Sequence, residues 1–181
     1  EHYLDAIAAV STGSAAGGTP EDRDGISIKL SALFPRYEDA KRERVMDELV
    51  PKVWQLADRA ANAGINLTMD AEEAERLAIS LDVLEAVMAR AAKEHPGWRG
   101  LGLAVQAYQT RALDTVDHVV TLARRLHMRL MVRLVKGAYW DAEIKRAQVL
   151  GLAGYPVYTH KHHSDLSYLA CARVMLASPD A

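Results

Sequence analysis

The residues able to do chemistry in this sequence fall at the ends of apolar runs. Lys29 follows GISI, Asp70 follows INLTM and Gln106 follows GLGLAV; Arg133 stands inside MVRLV with Lys136 three residues later, and Thr159, His160 and Lys161 follow YPVY. An arginine keeps its charge at any accessible pH, so Arg133 in a strand-like run demands an anionic or electron-rich partner. Lys136 suits a phosphate or a reduced cofactor, and Gly137 and Ala138 behind it let a backbone approach closely. Tyr139 and Trp140 add flat surfaces that could pack on a ring or simply cover a helix start. Lys29 needs a ligand carboxylate or Asp70 as partner, unless it snorkels into water. Asp70 could serve a ligand or cap a helix, since Glu73 stands three residues later as in a capping box. Gln106 offers a donor and an acceptor, suited to a heterocycle edge or to a structural bond.

Other polar clusters carry less. HKHHSD, from His160 to Asp165, has no recognised zinc spacing, so no metal is expected. KRER, Lys41 to Arg44, reads as a solvated helix face.

Such side chains must be held by regular elements. Residues 11–25, STGSAAGGTPEDRDG, are small and polar, so residues 1–24 are expected to be an N-terminal helix and flexible linker ahead of an ordered domain at 25–181. From Gly25 onward, short β-branched runs alternate with amphipathic stretches. Strands are predicted at GISIKL, INLTMD, GLGLAVQ, RLMVRLV and YPVYTHK. The following helices are predicted over residues 37–64, with Pro51 as a kink or restart, and over 72–93, 111–127, 141–150 and 165–177. Strand–helix alternation implies a parallel sheet. A polar residue closes every run, which favours a closed barrel, where all strand ends meet at one mouth, over an open sheet with one switch point. The prediction is an α/β chain of the (β/α)8 type with about five of its units present.

The totals set limits. Of 181 residues, half are hydrophobic and a quarter charged, as in a globular chain with a core, and the net charge of -2 gives no field for nucleic acid. The single cysteine, Cys171, excludes an internal disulfide and suits a packing role. No apolar stretch is long enough for a membrane span and no leader is visible, so a cytoplasmic location is expected.

Taken together, GISIKLSALFPRY, TMDAEEAERL, RLVKGAYWDAEIKRAQ and YPVYTHKHHSDLSYLACAR resemble the proline dehydrogenase domain of bifunctional bacterial flavoenzymes of proline utilisation. The resemblance implies a barrel that holds FAD at its mouth, oxidises L-proline to Δ1-pyrroline-5-carboxylate by hydride transfer to flavin N5, and passes electrons to a membrane quinone. It implies peripheral association with the inner membrane and an aldehyde dehydrogenase domain in the parent chain. By the same resemblance Lys29, Asp70 and Tyr139 meet substrate, and Asp70 and Arg133 are catalytic. Ala71, Gln106, Arg133, Lys136, Gly137, Ala138 and Trp140 contact flavin, with Thr159, His160 and Lys161 toward its adenine end. Phe34 stands where the family has histidine, and His160 where it has arginine. The family's final strands and its paired arginine are absent here, so this segment alone is expected to be inactive. The competing readings are a Schiff-base aldolase using Lys29 or Lys136, and an inactive interaction module.

Overall fold

The computed structural model describes residues 2–13 and 18–181. Its sheet has four parallel strands, β1 (Gly25–Ile28), β2 (Asn66–Met69), β3 (Leu101–Gln106) and β4 (Met131–Val135), in the order β1-β2-β3-β4. Ile28 pairs with Met69, Met69 with Leu103 and Leu103 with Val132, so these apolar residues share one face. Ile28, Leu67, Met69, Leu101, Leu103 and Val105 are buried on it. The other face carries Ser27, Thr68, Gly102, Ala104 and Arg133, because successive side chains of a strand alternate. This is the inside of a barrel wall: small and polar residues within, large aliphatics outward against helices.

Helices cover the outer face. α1 (His2–Gly13) buries Ile7 and packs on β1, and the short α2 (Leu30–Leu33) follows β1 directly. α3 (Arg42–Arg44) runs into a π-helical turn over Val45–Leu49 and then into α4 (Val50–Ala63). Pro51 lies in the first turn of α4, where its missing N–H costs least, so the helix restarts there after the π turn. Gly64 ends α4 in the left-handed conformation. The remaining helices are α5 (Leu77–Glu94), α6 (Ala112–Leu126), α7 (Trp140–Val149) and α8 (Lys161–Leu176). Cys171 is buried on α8, as a packing cysteine should be.

Two sequence expectations need correction. α5 was expected from residue 72, with Asp70 either capping it or serving a ligand; residues 71–73 are instead non-helical, a 3-10 turn covers Ala74–Arg76, and α5 starts at Leu77. Asp70 turns toward β4 rather than back onto its own helix. The second correction removes the fifth strand. Within YPVYTHK only Val157 makes a β-bridge, antiparallel to Gln109, and Lys161 already belongs to α8. Thr110 N–H donates to Pro156 C=O at 3.0 Å and Tyr158 N–H to Tyr108 C=O at 2.8 Å. The run is apolar because Val157 is buried against the loop after β3, and that loop satisfies its backbone in place of a sheet. α8 then packs on α6 and β4 and is the helix returning from β4. The described residues form four strands, with α7 and residues 150–160 as an excursion above the strand ends.

Candidate active site

The carboxyl ends of the strands enclose a cavity of about 340 Å³. Lys29 extends from the end of β1, Asp70 and Ala71 from β2, Gln106 from β3, and Arg133, Lys136, Gly137, Ala138 and Tyr139 from β4 and the turn beyond it. Ala104 and Val135 form its floor. In-register pairing puts Ala104 beside Arg133, so the small residue on β3 makes the room that the guanidinium occupies.

Arg133 is the hub of this cavity. Its Nη1 donates to Ser27 Oγ at 2.8 Å and its Nη2 to Asp70 Oδ1, joining β4 to β1 and β2 across the inner face. The guanidinium remains about half exposed, so part of its donor edge faces the opening. Lys29 is held in its ammonium form, its pKa raised by the Tyr139 hydroxyl and then by Asp70 and Glu72. Gln106 is buried with both ends engaged: Nε2 donates to Glu72 C=O at 2.8 Å and Oε1 accepts from Ala138 N–H at 3.1 Å. It therefore ties the β2 loop to the β4 loop, and each end of the amide can still take one further partner.

A second cavity, of about 370 Å³, shares Lys136 and Gly137 with the first and continues outward past Trp140, Tyr158, Thr159 and Lys161. Gly137 is required where the two meet. Its φ is +141°, and a Cβ there would lie 2.4 Å from the Tyr108 ring. Tyr108 is the buried plate on which this turn rests; burial pushes its hydroxyl up to about 12, and that hydroxyl accepts Tyr139 N–H at 3.3 Å. Trp140 is 42% exposed, its indole N–H donating to Tyr158 C=O at 2.9 Å, which leaves a ring face open to the cavity. Asp165 lies between two ammonium groups, accepting from Lys136 and, at 2.6 Å, from Lys161. These lysines, Lys136 first, hold its carboxyl down to about 2, and Asp165 in turn raises Lys136.

Twelve of the residues singled out in the sequence thus line one or both cavities, and His160 lines neither. It precedes α8, exposed, its ring stacked on His162 at 5.4 Å between centroids, with His163 edge-on at 5.6 Å. Among the described residues no group of histidine, cysteine and carboxylate side chains could hold a metal ion. Phe34 is packed in the core with Lys52 Nζ 5.5 Å from its ring centre, away from both cavities. KRER is exposed, as expected. Sequence reasoning missed Tyr108, Ser27, Asp165 and Glu143. Only Asp165 carried a signal, a carboxylate one helical turn from Lys161.

A parallel sheet with helices outside, polar residues within and a charged cavity at its carboxyl edge defines a barrel-type α/β enzyme segment. The sequence profile of the proline dehydrogenase family matches residues 1–181, and the chain belongs to that family. It is 53% identical over 178 residues to the bifunctional protein PutA of Salmonella typhimurium, covering 98% of this chain and 13% of that protein. Over 129 residues it is 26% identical to the mitochondrial proline dehydrogenase 1 of Caenorhabditis elegans, covering 70% of this chain and 20% of that one. A crystal structure of a point mutant of Bradyrhizobium japonicum PutA superposes with a TM-score of 0.93 at 54% identity, over 98% of this chain and 18% of that one. The chain thus spans about an eighth of the length of the PutA relative from Salmonella.

Proposed function

We propose that this segment supplies the first half of a proline dehydrogenase site, which in the full-length polypeptide binds FAD and oxidises L-proline to Δ1-pyrroline-5-carboxylate. The observation that carries the reading is the convergence of Lys29, Asp70, Arg133 and Tyr139 on one cavity that opens directly into the second. Two adjoining cavities of about 340 and 370 Å³ suit an elongated flavin nucleotide. The donor set fits as well: Lys136 and Lys161 for phosphate oxygens, Thr159 and Ser164 for hydroxyl contacts, and Trp140 for a ring face.

When bound, FAD would supply the acceptor for the hydride that leaves the ring carbon on the side of the proline nitrogen away from the carboxylate, once the amine has released its proton to solvent. Everything else falls to the chain. Lys29, cationic beside Tyr139, meets the substrate carboxylate, and Tyr139 walls the substrate ring. Arg133 answers the negative charge that grows on the isoalloxazine, a contribution larger in the transition state than in the ground state. Asp70 and Ser27 hold Arg133 in place, so it is oriented before the charge arrives. Gln106, Ala71 and Ala138 would border the flavin ring, and Thr159 and Lys161 would face the nucleotide end. We further propose that electrons pass to a membrane quinone, through peripheral contact of a cytoplasmic protein with the inner membrane. An aldehyde dehydrogenase region of the same polypeptide would consume the product.

An aldolase using Lys29 or Lys136 is disfavoured, since a Schiff-base amine must be neutral to attack and both lysines are shifted toward the charged form. Anaerobic addition of L-proline to the full-length protein tests the assignment. Flavin absorbance should bleach, whereas an unchanged spectrum, or a lysine adduct trapped by borohydride, would overturn it. A protein purified without flavin and unable to bind it would support an interaction module.

A further inference from the structure

Ala74 opens the 3-10 turn between the β2 loop and α5, and both of its backbone polar groups are taken by charged side chains from distant elements. Its N–H donates to Oε1 of Glu143 on α7 at 2.6 Å, and its C=O accepts from Nη2 of Arg111, at the start of α6, at 2.7 Å. Glu143 is only 3% exposed. A carboxylate is expensive to bury unless a specific bond offsets the loss of water. Burial pushes the Glu143 carboxyl up, and the Ala74 amide pulls it back toward the ionised form. Neither Glu143 nor Arg111 lines the two site cavities; both border a separate hollow of about 260 Å³ behind them.

The placement of Ala74 gives this bond its consequence. Asp70 and Ala71, on the β2 side of the inner cavity, lie four and three residues before it, and Tyr139 and Trp140 lie four and three residues before Glu143. We infer that Glu143 is a positioning residue: its clasp on Ala74, closed from the other side by Arg111, fixes the Asp70–Ala71 wall of the site relative to the Tyr139–Trp140 wall. The two walls come from different strands with β3 between them, and Gln106 joins their loops nearer the cavity. Glu143 is the matching tie on the outside, so the substrate ring and the acceptor are held at a distance set by two struts rather than one.

The inference rests on the flavin-dependent reading for its kinetic consequence, but the clasp itself can be read without turnover. In the full-length protein, Glu143→Ala should expose the Ala74 amide, so that hydrogen exchange in the 71–76 peptide accelerates with or without flavin and proline. Glu143→Gln keeps an acceptor oxygen in the same place and should retain the protection. The limiting rate of flavin reduction by proline should fall about 10-fold to 10²-fold in Glu143→Ala, as for a misplacement of about an ångström. Flavin content and proline affinity should stay within about twofold, and Glu143→Gln should restore most of the rate. Arg111 is exposed, so Arg111→Ala should fold and show the same changes to a smaller extent, which decides the matter if Glu143→Ala does not fold. Wild-type exchange and rate in Glu143→Ala or, failing that protein, in Arg111→Ala would overturn the inference. So would a Glu143→Gln protein as impaired as the alanine variant. If proline does not reduce the wild-type flavin, the functional reading has failed, and the exchange comparison still decides whether the clasp exists.

Discussion

The two cavities that meet at Gly137 are built in opposite ways. The inner one takes its side chains from strand ends, so the register of four hydrogen-bonded strands fixes their spacing, and its charged centre, Arg133, is braced by Ser27 and Asp70. The outer one is made by α7, the excursion over residues 150–160 and the first turn of α8. Its lysines, Lys136 and Lys161, are exposed and both bridge to the half-buried Asp165, Lys136 across that irregular segment and Lys161 within α8. A rigid site suits a step that needs fixed reacting distance, whereas an exposed, salt-screened site suits holding the far end of a long ligand. On the proposed function, the difference would separate catalysis from retention within one groove.

The strongest way to break this comparison is to remove the rest of the barrel. β1 and β4 are the sheet edges here, so the 181-residue chain expressed alone should show no proline-dependent dye reduction and should aggregate on size exclusion. A monomeric, yellow, proline-active preparation would show that the inner cavity is already complete.

Within the full-length protein, Arg133→Met should slow flavin reduction by about 10²-fold to 10³-fold, as loss of a charge-stabilising donor does. Stopped-flow traces should show a much smaller change in proline affinity. A raised dissociation constant at an unchanged limiting rate would move Arg133 from chemistry to binding.

The junction between the cavities can be tested by Gly137→Ala. A left-handed-side φ of +141° and a Cβ pressed into the Tyr108 ring should lower stability by about 1–3 kcal/mol, read as a drop in melting temperature.

Trp140→Ala sharpens the comparison from the outer side. It should weaken FAD binding about tenfold, measured by fluorescence titration, since roughly 1.4 kcal/mol of ring contact corresponds to that factor. The rate of reduction in the flavin-loaded fraction should hardly change. Equal damage to rate and binding would erase the division of labour.

Acid should expose the smallest effect. With its pKa held down at about 2, below the ordinary value near 3.9, Asp165 contributes stability above roughly pH 4 that is lost as pH falls toward 2. Asp165→Asn should flatten this limb slightly at low salt, in acid-unfolding curves, and the difference should vanish at high salt.

Much of the inner cavity was legible in the sequence because a strand's side-chain period is two and parallel strands end on one side. Lys29, Asp70 and Gln106 each close an apolar run and Arg133 lies near the end of one, and a polar group at that point of a βα unit points to the mouth. The outer cavity was not legible in the same way. YPVYTHK has the composition of a strand, yet its buried Val157 is matched by the loop after β3, and no local pattern distinguishes those two partners. Asp70 left two readings open: Glu73 three residues later made a cap plausible beside a site role, and a guanidinium 63 residues away takes the carboxylate.

By itself the sequence determined the alternation of strands and helices, the apolar outer face of the sheet, and the kinds of side chain that reach its carboxyl edge. Those follow from local periodicity and from the fixed chemistry of each residue type. Tertiary structure decided which groups meet: Arg133 with Ser27 and Asp70, Gly137 with Tyr108, Asp165 with two lysines, and Glu143 with the amide of Ala74. Except for Lys161 with Asp165, one helical turn apart on α8, each of these contacts joins residues far apart in the chain or in elements whose path the sequence left open. Their geometry depends on how the helices lie against the sheet, which is a property of packing rather than of any one segment.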